Sequence, residues 1–259
     1  MLAKKSLGQN FLLHPQTAER IVGSARLPND ATVLEIGPGT GMLTRALLGE
    51  ASRVIAIETD DELVPQLRET FANEIASGKL ELIHGDAREF DPTSIQGEYH
   101  MVANIPYYIT GELIRTYLTT SHKPRSMTLL VQKEVAERIV RSKKESLLSL
   151  AVKAFGRPEY CFTVPRGAFR PAPNVDSAVL SIRDIDPVAL SGEGEEQAFF
   201  SVLRAGFAHK RKRLAKNLEA VAPSDRIAHA FETLSLSKDL RPEDVSLDTW
   251  RLIASSLGA

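Results

Sequence analysis

Between residues 32 and 132, short apolar runs alternate with stretches of helical spacing. The runs 32–36, 53–58, 80–84, 100–103 and 127–131 are rich in Val, Ile and Leu, whereas 61–76 repeats its apolar residues (Leu63, Val64, Leu67, Phe71, Ile75) at the spacing of one helix face. This alternation predicts βαβ units around a mostly parallel sheet, an α/β fold whose ligands sit beyond the carboxyl ends of the strands. Two later runs, 160–164 and 177–182, flank a Pro-rich bridge and are expected to close the sheet as an antiparallel pair. The polar stretch 184–196 contains Gly192 and Gly194, and beyond it only helical spacing remains. The expectation is a ligand-binding catalytic domain over 1–190 and a small all-α domain over 191–259.

Composition narrows the classes. With 43% hydrophobic and 25% charged residues in 259, the chain has enough apolar material for a core, and global disorder is excluded. No run approaches the roughly 18 apolar residues of a membrane span, and the start lacks the long apolar stretch of a secretory signal, so the cytoplasm is the expected compartment. The single cysteine, Cys161, forms no internal disulfide, and the six histidines show no ligand spacing, so no metal is expected. Net charge is −1, so any affinity for nucleic acid must come from local patches.

Val33-Leu-Glu-Ile-Gly-Pro-Gly-Thr-Gly41 runs a strand into three glycines and then a helix from Met42. Glycines here allow a sharp turn and close approach of a ligand, and the helix start offers free N–H groups. The spacing is one residue shorter than the dinucleotide fingerprint, which argues against NAD. Glu58 ends the next strand, where a carboxylate can hold both hydroxyls of a ribose. Asp86 ends the third strand, where it can accept from an adenine amino group. A nucleoside-containing cofactor fits Gly37, Gly39, Glu58 and Asp86.

Asn104-Ile-Pro-Tyr107 ends the fourth strand. A purine exocyclic amine is a poor nucleophile because its lone pair is delocalised into the ring. The Asn104 side-chain oxygen and the Ile105 carbonyl can each accept one N–H, Pro106 fixes the direction of that carbonyl, and Tyr107 offers a ring for stacking. Held this way, the nitrogen becomes tetrahedral and its lone pair is localised. A basic run, His209 to Lys216, includes Lys210, Arg211, Lys212, Arg213 and Lys216, with Arg204 upstream. As a helix it would spread charges suited to RNA phosphates, with Arg138, Arg141, Lys143, Lys144, Lys4 and Lys5 as further contacts.

These motifs, with Lys4-Lys-Ser-Leu-Gly-Gln-Asn-Phe-Leu, Gln132-Lys-Glu-Val-Ala-Glu-Arg138 and Gly167-Ala-Phe-Arg-Pro-Ala-Pro-Asn-Val-Asp-Ser177, resemble the ribosomal RNA adenine dimethyltransferases. The resemblance implies a class I S-adenosylmethionine-dependent methyltransferase fold with seven strands and a helical C-terminal domain. It implies that Asn10 and Leu12 line the cofactor site, that Gly37 approaches the methionine part, and that Asn104 touches both cofactor and target amine. It further implies that Phe169 is a second aromatic wall opposite Tyr107, and that the amine is methylated twice. Direct in-line transfer is expected, on an unpaired or flipped base.

The expected substrate is small-subunit ribosomal RNA, acted on by a monomer. Asn-Ile-Pro-Tyr in place of Asn-Leu-Pro-Tyr also suits the large-subunit macrolide-resistance enzymes. A catalytically idle assembly factor and a DNA adenine methyltransferase are further alternatives. The intact Asn104–Tyr107 and glycine loop disfavour the idle factor, and the lack of a separate target-recognition domain disfavours the DNA enzyme.

Overall fold

A computed structural model of the chain describes residues 4, 7–186, 189–190, 194–209 and 211–257. The chain runs β1 (Phe11–Leu12), α1 (Pro15–Ala25), β2 (Thr32–Ile36), α2 (Met42–Glu50), β3 (Arg53–Glu58), α3 (Leu63–Thr70), α4 (Ala72–Ala76), β4 (Leu80–His84), β5 (Tyr99–Asn104) and α5 (Thr110–Thr119). It continues through β6 (Ser126–Gln132), α6 (Lys133–Val140), α7 (Leu147–Phe155), β7 (Arg157–Val164), β8 (Phe169–Arg170) and β9 (Ser177–Arg183). Four helices follow: α8 (Glu195–Phe207), α9 (Leu214–Leu218), α10 (Ser224–Thr233) and α11 (Leu247–Leu257).

A seven-stranded sheet is ordered β4-β3-β2-β5-β6-β9-β7, while β1 and β8 pair separately. The neighbours from β4 to β6 are parallel, and β9 is antiparallel to both β6 and β7, the closing pair that the sequence predicts. Both faces of the central strands are covered, which is why they read as continuous apolar runs. On one face Val33, Val54, Val102, Leu130 and Val179 share a core with Ile21 of α1 and Leu47 of α2. The winding reverses between β2 and β5. A crevice opens outside their carboxyl ends at such a switch point.

The helical pattern at 61–76 is realised as two helices. Phe71 leaves helical geometry (φ −114, ψ 29) and buries its ring, and a Cβ added to Gly41 would sit 2.5 Å from that ring. The chain breaks helix here to seat Phe71 behind the glycine loop.

The chain forms two compact units. One holds the chain through Glu137 together with Gly156–Ile185, and the other holds Arg138–Phe155 with the chain from Asp186 onward. The second unit thus takes in residues 138–155, which a single boundary at 190 assigns to the first. It does so because α7 packs on α8 and α11, with the Phe155 and Phe200 rings stacked at 5.9 Å. Within this unit Trp250 is fully buried and stacks on Phe207 at 5.6 Å. Among the described residues, no helix is long and apolar enough to cross a membrane, and no group of three or more His, Cys, Asp or Glu could hold a metal ion.

Candidate active site

The carboxyl ends of β2, β3 and β5, the turn after β4 and the strap Leu7–Leu12 enclose one cleft of ≈ 1050 Å³, open mouth included, in the size class of small-molecule sites (about 300–1,000 Å³). Gly37 and Gly41 sit at φ 66 and 80, where a side chain is strained. The turn is closed by the Gly41 N–H on the Pro38 carbonyl at 2.9 Å. A Cβ at Gly37 or at Gly85 would meet nothing within 4 Å, so the backbone leaves room there for a ligand. Glu58 is buried, and its carboxylate accepts the N–H groups of Gly39 (3.0 Å), Thr59 (2.9 Å) and Asp60 (2.9 Å). Burial lifts its pKa above the ordinary carboxylate value, and the three N–H groups pull against that rise. Asp86 lines the same cleft, but the Arg88 guanidinium grips both its oxygens and competes with any ligand amine for them. That grip holds the Asp86 carboxyl below its usual range.

Asn104 Nδ2 donates to the Asn10 carbonyl at 2.9 Å. This bond fixes which end of the amide faces the strap and leaves Oδ1 as an acceptor. Ile105 is buried, Pro106 and Tyr107 line the cleft, and a 3₁₀ turn over Tyr107–Ile109 leads into α5. The Tyr107 hydroxyl shares a hydrogen bond with Ser177 Oγ at 2.6 Å, which sets the ring's position. Asn10, Leu12, Gly37, Gly39, Glu58, Asp86 and Asn104 to Tyr107 therefore come together around one space.

Phe169 lies elsewhere than expected. On β8 it pairs with Leu12, is 3% exposed and packs into the core with Leu12 and Val164, so its ring is not a wall of the cleft. The apolar ring is held inward by the β1–β8 pairing, which the sequence does not signal. The basic run also differs from the helical reading. Helix α8 ends at Phe207, and Lys212 N–H closes a turn on the His209 carbonyl at 3.1 Å before α9. Buried Asn217 pins this turn, its Nδ2 donating to Gly206 (2.6 Å) and His209 (3.1 Å) carbonyls. Arg211, Lys212 and Arg213 are exposed on the turn, Arg204 on α8 and Lys216 on α9. Arg213 pairs with Asp239 at 2.9 Å and Lys216 with Glu219. Arg138, Arg141, Lys143 and Lys144 are exposed in the same unit. Lys5 and Lys210 lie outside the described residues.

A family model described as ribosomal RNA adenine dimethylase matches residues 1–257. The chain belongs to the ribosomal RNA adenine dimethylase family. Among relatives of this dimethylase family, a ribosomal RNA small subunit methyltransferase A of Dehalococcoides mccartyi is 38% identical over 257 residues, covering 96% of this chain and 86% of its own. Its namesake in Geobacillus thermodenitrificans is 35% identical over 271 residues, covering 98% and 90%. Two solved structures share the fold: a dimethyladenosine transferase from Plasmodium falciparum (TM-score 0.79, 25% identity, 94% and 95% covered) and the 23S rRNA methyltransferase ErmE (TM-score 0.75, 27% identity, 96% and 100% covered).

One buried group beside the glycine loop carries chemistry that the sequence pattern does not mark. Glu35 precedes the glycine loop with both carboxyl oxygens buried and, among the described residues, without a hydrogen-bond partner. Its signal was a glutamate inside an otherwise apolar strand. Burial pushes its pKa from 4.5 to about 8, Thr44 beside it eases that rise and nearby Glu58 adds to it. The folded protein thus keeps a proton that the unfolded chain gives up, so stability drains away as pH climbs from about 4.5 to about 8. Glu35→Gln is uncharged and nearly isosteric, and its denaturant-derived stability should vary less with pH over that window, overtaking the parent at the alkaline end. Parallel curves for the two proteins would mean that native Glu35 ionises normally.

Proposed function

We propose that this chain transfers methyl groups from S-adenosylmethionine to the exocyclic amine of adenines in small-subunit ribosomal RNA, giving dimethyladenosine during ribosome assembly. The observation that carries the reading is Asn104, its amide fixed on the Asn10 carbonyl and its oxygen left as an acceptor beside the Ile105–Tyr107 turn. Family membership supports the reaction, and the names of its 35–38% identical relatives support the small subunit.

The donor set suits the cofactor. Room over Gly37 and Gly85 admits a ligand against bare backbone, Glu58 would hold a ribose and Asp86 an adenine amino group, with Asn10 and Leu12 covering them from the strap. When bound, the cofactor supplies a methyl group already activated on a sulfonium. The protein's part is alignment and exclusion of water, with no strong base required. Asn104 Oδ1 and the Ile105 carbonyl draw the two amine hydrogens out of the purine plane. The Tyr107 ring, steadied by Ser177, stacks on the base. Phe169 joins this stack only after a change of its packing.

In this reading the second unit contacts RNA through Arg204, Lys210–Arg213 and Lys216. Replacing Arg211, Lys212 and Arg213 together by alanine should weaken RNA binding and flatten its dependence on salt by about 0.7–0.9 in log–log slope for each phosphate no longer neutralised. Cofactor affinity should not change, and an unaltered slope would reduce the turn to a solvated surface. In this reading the chain acts in the cytoplasm as a monomer.

Ile105, together with likeness to a 23S rRNA methyltransferase, favours a second reading, transfer to large-subunit RNA. Labelled S-adenosylmethionine offered with undermethylated small or large subunits separates the two. Dimethyladenosine in small subunits alone bears out the first. Label in large subunits alone selects the second, and cofactor binding without transfer to either points to an assembly factor.

A further inference from the structure

The strap Leu7–Leu12 is fastened at both ends of the cleft. On one side Asn104 holds the Asn10 carbonyl, and Gly8 lies so close to the Tyr108 ring that a Cβ would come within 3.1 Å of it. On the other side the strap reaches the turn after β3. Gln9 Nε2 donates to Asp60 Oδ2 at 2.6 Å, and Lys4 Nζ donates to Asp60 Oδ1 at 2.7 Å. Gln9 Oε1 accepts the Lys4 backbone N–H at 2.8 Å, so both ends of that amide are engaged and its orientation is set. Asp60 is 3% exposed, and its Oδ1 also accepts the Glu62 N–H at 3.0 Å. A buried carboxylate is costly without partners, and two of the three it has here come from the segment that covers the cleft. The Asp60 backbone N–H meanwhile donates to Glu58 Oε1, so one residue both anchors the strap and orients the ribose-side carboxylate.

We propose that Asp60 is a positioning residue for the cofactor: through Gln9 and Lys4 it latches the strap over the cleft and sets how fast cofactor leaves. The inference rests on the cofactor reading above. Two transfers to one amine require spent cofactor to be exchanged for fresh, and a strap that lines the cleft must loosen for each exchange. With the latch closed, Asp60 has its donors and the strap stays on the ligand. With the strap lifted, Asp60 keeps only its backbone donor.

The test follows release of labelled S-adenosylmethionine, chased with unlabelled compound in the absence of RNA, so that it does not depend on turnover. Gln9→Glu sets a second carboxylate against Asp60, and Asp60→Asn removes the charge that Lys4 and Gln9 bind. Each is expected to speed release about tenfold, the scale of a lost hydrogen bond to a charged group. Gln9→Glu combined with Asp60→Asn exchanges amide and carboxylate across the same contact and should restore slow release. That recovery is what a merely structural role would not produce. Lys4→Met, at the partly exposed end of the latch, gives a smaller acceleration and serves if a buried change prevents folding. Release at the parental rate in the folded single variants overturns the latch, as does failure of the exchanged pair to recover. A parent protein that does not bind the labelled compound overturns the cofactor reading instead.

Discussion

Asn104→Ala is expected to cut single-turnover methyl transfer by at least ~10²-fold, the scale seen when one preorganised hydrogen-bonding group is removed from a reacting centre. Cofactor binding should survive, weakened. The alanine has no acceptor for the amine hydrogen, so the nitrogen lone pair stays in the purine ring. It also leaves the Asn10 carbonyl without its donor. An unpartnered, part-buried carbonyl costs roughly 1–3 kcal/mol, which loosens the strap but does not remove Glu58 or the glycine loop. Single-turnover rates with labelled cofactor, beside equilibrium binding of the same compound, separate the two effects. Full transfer by Asn104→Ala would remove the amine contact from the mechanism. Asn104→Asp should also fail, because its carboxylate would face the Asn10 carbonyl, acceptor against acceptor.

Gly206→Ala is expected to destabilise the second unit by about 2 kcal/mol. Elsewhere in an exposed helix the change would gain about 1 kcal/mol from helix propensity. Here a Cβ would lie 2.2 Å from Trp250 Cη2, 2.9 Å from its Cζ3 and 3.0 Å from Leu214 Cδ1. Overpacking of this kind costs typically 1–3 kcal/mol or more, and the fully buried indole has no solvent to move into. The loss should appear as an earlier denaturant midpoint in far-ultraviolet circular dichroism. Because the clashing atoms belong to the outer ring of the indole, Trp250→Phe in the Gly206→Ala background should recover part of the loss. Trp250 Nε1 has no partner among the described residues, so that replacement sacrifices no hydrogen bond. Equal midpoints for Gly206→Ala and the parent would show that α8 and α11 can part at little cost.

What the sequence discloses follows the range of the forces involved. The parallel strands were legible because burial on both faces leaves a continuous apolar run, and the glycine loop because its geometry is set within five residues. Glu58, Asp86 and Asn104 were legible because the ends of parallel strands must converge on one edge. Gln9 and Asp60, 51 positions apart, carry no local mark of their contact. Phe169 was misplaced because an aromatic residue in a Pro-rich loop reads the same whether it faces a ligand or a core. The basic run was misread as helix because its charges obey helical spacing equally well in a turn. The Asn217 side chain that closes that turn acts from a different element.

In the proposed reading, the bond from Asn104 to Asn10 joins the grip on the substrate to the cover of the cofactor. When the strap lifts to let spent cofactor go, it withdraws the partner that orients the Asn104 amide. Emptying one half of the crevice therefore slackens the hold in the other half. In the proposed mechanism the two methyl groups are then added in separate engagements of the base, with the singly methylated adenine released between them.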